Sequence, residues 1–68
     1  MDPFKNMSAR MAVMSHLSDA QQLIEYGIKS EADQRINFAK FIILKTKGDL
    51  NQEIDADALW TEFNEGNY

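Results

Sequence analysis

Apolar residues crowd into one stretch, Ile36-Asn37-Phe38-Ala39-Lys40-Phe41-Ile42-Ile43-Leu44, and the remaining apolar positions are spread more thinly around it. At about 100° per residue, Ile36, Ala39 and Ile43 share one side of a helix, Phe38 and Ile42 a second, Phe41 a third and Leu44 the far edge. A helix apolar nearly all round must be covered on more than one side. A strand is the weaker reading, because alternation fails at Phe41-Ile42-Ile43-Leu44 and the flanking Glu31, Ala32, Gln34, Arg35 and Lys45 favour helix. The expected core set is Ile36, Phe38, Phe41, Ile42, Ile43 and Leu44, shared with a dimer interface.

Ahead of this stretch, Met7, Met11, Met14, Leu17, Ile24 and Ile28 recur with heptad-like spacing, Gln21 filling the gap. The stripe predicts helix from about residue 4 to 28, opened by Asp2-Pro3 as cap and first helical residue. Ser18-Asp19-Ala20-Gln21 fits a capping box and favours a break near 15–18, so two helices compete with one. Methionine-rich spacing of this kind is core, dimer seam or an adaptable recognition surface. The methionines at 1, 7, 11 and 14 leave the natural start open, and residues 1–6 are expected to fray.

Gly27 suits a left-handed helix end, and Ser30 is expected to cap a second helix over about 31–46 that Gly48 stops. Glu31 and Asp33 near its start, with Lys45 and Lys47 near its end, complement its dipole. So short a connection predicts an antiparallel hairpin. Residues 49–54 then read as a polar link anchored by Leu50 and Ile54. Asp55 caps a short helix over about 56–64 whose Ala56, Leu59, Trp60 and Phe63 share a face. That helix is too short to stand alone. It either folds back as a lid on the core helix, the favoured reading, or docks on a partner through Leu59, Trp60 and Phe63.

Length sharpens this picture. Sixty-eight residues make one domain, of a size that buries only ~60% of its unfolded surface. Such domains lean on disulfides, metal or oligomerisation. There is no cysteine and a single histidine, His16, so oligomerisation is what remains. The expected architecture is all-α: a helical hairpin plus a short C-terminal helix, dimerising into a four-helix-like bundle with 36–44 near the two-fold axis. With 44% hydrophobic and 26% charged residues the chain is expected to fold. Lacking a leader pattern and any apolar run of membrane-spanning length, it is expected to be soluble and cytoplasmic.

Charge is unevenly placed within a net of −4. Residues 1–48 hold all seven bases against five acids, whereas 49–68 hold six acids and no base. The two parts should attract, although exposed pairs contribute only ~0–1 kcal/mol each. The acidic tail is also a plausible lure for a basic protein partner.

Candidate chemistry is sparse. Asp49, Asn51, Glu53, Asp55 and Asp57 alternate like calcium ligands, but Ile54 and Trp60 stand where an EF-hand loop needs glycine and a bidentate carboxylate. No nucleophile elbow, cysteine nucleophile or phosphate loop accompanies His16, so no cofactor, metal or enzymatic activity is expected. A helix–turn–helix would present Glu31, Asp33, Gln34, Arg35 and Asn37 to a major groove, two acids against one base, which disfavours direct DNA binding. The alternative nucleic-acid surface is Lys29, Arg35, Lys40, Lys45 and Lys47. The leading expectation is a non-enzymatic protein-interaction or regulatory module acting as a homodimer.

Overall fold

A computed structural model describes residues 7–66. The elements are β1 (Met7–Ser8), α1 (Ala9–Glu25), α2 (Lys29–Lys45), β2 (Glu53–Ile54) and α3 (Ala56–Asn64). The expected hairpin with a short third helix is present. Residues 1–6, including the Asp2-Pro3 opening, lie outside the described residues.

Helix α1 begins at Ser8, whose Oγ accepts from the Met11 N–H at 3.2 Å. Its next orphan donors are met from the far end of the chain: Ala9 N–H bonds to Gln52 O and Arg10 N–H to Leu50 O, both at 2.9 Å. This threads the 49–54 link across the start of α1, where β1 and β2 pair antiparallel with Met7 opposite Ile54. As expected of anchors, Ile54 is buried and Leu50 packs against the core.

The break expected near residues 15–18 does not occur; α1 is one helix through Ser18, and the capping box is unused. The reason is packing. Ala9, Ala12, Val13 and Ala20 form the buried face, against Ala32, Ala39 and Ile42 of α2. Small side chains let two helices approach closely, and a bend at 15–18 would divide that seam. The bulky stripe is therefore not the core side of α1, since Met11, Met14, Leu17 and Ile24 are all exposed, with Ile28 beyond its end also exposed.

Both hairpin helices end in the same motif. Ile28 N–H reaches Leu23 O at 2.8 Å with Gly27 at φ +79°, and Gly48 N–H reaches Ile43 O at 3.0 Å with Lys47 at φ 54°. Gly27 thus takes the left-handed position expected of it, while at the second end that position falls to Lys47. Ser30 does not cap α2, which starts two residues earlier: Ile28 holds the cap position without a side-chain bond. The six-to-one closure turns the chain so sharply that helix resumes at Lys29.

Phe38 and Ile42 are almost fully buried, and Phe41 nearly so. Ile36 is half-buried, whereas Ile43 and Leu44 are exposed, at 40% and 66%. Helix α3, capped by Asp55 Oδ1 accepting from Ala58 N–H at 3.1 Å, lays Leu59, Trp60 and Phe63 on this core. It lids the hairpin from within the same chain.

Candidate functional site

The hairpin and α3 enclose a cleft of about 430 Å³ around His16, Arg35, Phe38 and Trp60, with Ser15 and Asp19 on one wall and Asp57 on the other. His16 sits on the buried side of α1, in the i, i+4 row of Ala12 and Ala20. Its ring meets Phe38 edge-on at 4.7 Å and lies parallel to Trp60 at 6.3 Å. Phe38 meets Trp60 edge-on at 4.8 Å and Phe63 at 5.3 Å, so one core phenylalanine ties α1 to α3.

Arg35 closes the cleft. Its guanidinium carbon stands 5.6 Å from the Trp60 ring centre, and Nη1 is 3.2 Å from His16 Nδ1. A guanidinium only donates, so Nδ1 accepts and the imidazole proton sits on Nε2. Burial lowers the His16 pKa below its ordinary value; the Arg35 charge lowers it further, and Asp19 opposes both. At neutral pH the ring is uncharged, with its single lone pair already engaged. Such a histidine is poorly placed to take a proton from Ser15 or from a bound substrate.

The other sequence-derived candidates are dispersed. Lys29 pairs with Asp33 at 2.8 Å in an exposed i, i+4 bridge, and Lys45 with Glu62 at 2.7 Å. Arg35 is drawn into the cleft, leaving Lys40 and Lys47 exposed on α2 and its terminal turn. Asp49 Oδ1 accepts from Asn51 N–H at 3.1 Å, and Asp55 caps α3, so two members of the alternating acid string work as turn and helix caps. Among the described residues no three or more His, Asp or Glu side chains are grouped to hold a metal ion. No described helix is long and apolar enough to cross a membrane.

What the structure adds is exposed apolar bulk, spread over more than one face. Met11, Met14, Leu17, Ile24, Tyr26, Ile28, Ile43 and Leu44 are exposed. The heptad-like spacing of α1 signalled part of it. The His16–Arg35 contact was not legible, because it joins side chains 19 residues apart whose meeting depends on hairpin register. Its one local signal is His16 sharing a helical row with alanines rather than with the methionine stripe. Compared with protein-family models, curated proteins and solved structures, the chain matches none.

Proposed function

We propose that this chain is a small non-enzymatic interaction module that works as a homodimer. One observation carries the reading: among the described residues eight large apolar side chains are exposed, although Val13, Phe38, Phe41, Ile42 and Ile54 are buried and Met7, Leu50, Leu59, Trp60 and Phe63 pack half-buried on them. Scattered exposed apolar residues are ordinary. Eight on so small a chain, four of them along α1, mark an interaction surface. A chain of 68 residues also gains most from a second copy, because burial by a single small core is marginal.

The cleft fits a structural role within this module. His16 and Arg35 satisfy one another and brace Trp60, which holds α3 on the hairpin. Sedimentation equilibrium on the intact chain tests the proposal: a dimer is expected at micromolar concentration. A single species of 7.8 kDa up to about 100 μM would overturn it.

A further inference from the structure

The hairpin has two broad faces, and α3 occupies one of them. On α2, Phe38 and Phe41 meet Trp60 and Phe63, which defines the front. Ile36 and Ile43 point about 180° away around the same helix. On α1, Ser15 and Asp19 flank the cleft beneath α3, and Leu17 lies about 180° from their midpoint. Ile24 follows Leu17 at seven residues, with Gln21 between. Leu17, Gln21, Ile24, Ile36 and Ile43 therefore share the back of the hairpin. Leu17, Ile24 and Ile43 are 44%, 55% and 40% exposed.

We infer that two copies pack back to back through this face, forming a four-helix bundle with both α3 helices on the outside. The inference rests on the homodimer reading and names its surface. Three observations select a second copy as the occupant. The first is area: two helices of 17 residues, ~25 Å long and together ~20 Å wide, present a footprint of ~500 Å². Doubled, this reaches the ~1,000 Å² that a specific interface needs.

The second is charge. A chain of net charge −4 repels its copy, and residues 49–68 hold six acids with no base. Front-to-front association would face these acidic segments toward each other. Back-to-back association turns α3 of each copy, with Asp57 and Glu62, away from the contact. Between its ends the Leu17, Gln21, Ile24, Ile36 and Ile43 face carries no ionised side chain; Arg10 and Lys29 close its two rows, and Lys40, Asp33 and Glu25 edge it, so both signs are present and the acidic excess of residues 49–68 is not. The third is periodicity: Leu17, Gln21 and Ile24 step at four and three, the seam spacing of helices crossing at ~20° in a bundle.

The test compares sedimentation of the intact chain with three variants, Leu17→Glu, Ile43→Glu and Leu44→Glu. All three sites are exposed in the single chain, so folding should survive, which circular dichroism checks. Each two-fold contact receives two carboxylates in the first two variants, and the dimer should weaken roughly a hundredfold or more. Leu44, a quarter turn away, should leave it within about threefold. Spin labels at Thr61→Cys, in an otherwise cysteine-free chain, add a distance: ~30 Å or more between α3 helices back to back, against ~10–20 Å front to front. A monomeric intact chain removes the homodimer reading itself. A dimer that survives Leu17→Glu and Ile43→Glu, or that shows the short label distance, keeps that reading and overturns the back-to-back surface.

Discussion

At His16, protonation works against folding. Its pKa in the folded chain is lowered, first by burial and then by Arg35, so the unfolded chain binds a proton more readily. The stabilising contribution of the neutral ring is complete above the ordinary value of 6.5 and is lost as pH falls through the lowered folded value. We expect the urea midpoint to fall between pH 7.5 and 5.5, and His16→Gln to flatten that segment while leaving the carboxylate region below about pH 4.5 unchanged. The slope should be shallow, because the ring is only partly buried and water screens part of the effect. Imidazole titration followed by NMR supplies the second check: Arg35→Met should raise the His16 pKa. An unchanged value would mean that the 3.2 Å contact has no electrostatic consequence in solution.

Among the elements, α1 carries the clearest lesson about what a sequence pattern conveys. Bulky residues at heptad spacing dominate the signal, yet the face that seals the hairpin is built from Ala9, Ala12 and Ala20, whose value lies in how little space they take. Hydrophobic weight alone cannot report that. Likewise Ser18 looks like a helix start and Ser8 does not, because the other half of the true start is supplied by Leu50 and Gln52, more than forty residues on. The two-residue β1–β2 pair has no period to detect. By contrast, Gly27, Asp55 and the Leu59/Trp60/Phe63 face were legible, since each acts through chemistry local to its own turn. The cap assignment gives a direct comparison. Ser8→Ala should cost about 1 kcal/mol and lower the melting midpoint by roughly 4–8 °C. Ser18→Ala should stay within ~0.5 kcal/mol, alanine being the better residue in an exposed helix interior. Both belong at one protein concentration, because dimerisation makes the midpoint concentration-dependent. A larger loss at Ser18 would restore the broken-helix account.

At the scale of the whole molecule, the question is whether apolar cover or charge attraction holds the acidic C-terminal part on the hairpin. Charge is conspicuous, six acids against a basic first part, but an ion pair such as Lys45–Glu62, which joins the two, is partly exposed. Such a pair contributes ~0–1 kcal/mol. Trp60 and Phe63, by comparison, lie on Phe38 and Phe41, Ile54 and Leu59 pack in the same core cluster, and a side chain of this size contributes ~1.5–3 kcal/mol when fully buried. Even discounted for half-burial, the apolar sum is larger. Cutting after Gly48 should therefore cost cooperative unfolding, because the remaining hairpin loses the cover over Phe38 and Phe41 and the acceptors for Ala9 and Arg10 N–H. We expect 1–48 to keep part of its far-ultraviolet helical signal, lose near-ultraviolet ellipticity and bind a hydrophobic dye. Adding the 49–68 peptide should restore the transition and shift Trp60 emission to the blue. That recovery should persist in 0.5 M salt, where the Debye length falls to ~4 Å. Recovery that vanishes with salt would assign the docking of α3 to charge, and would make Trp60 and Phe63 passengers on it rather than its cause.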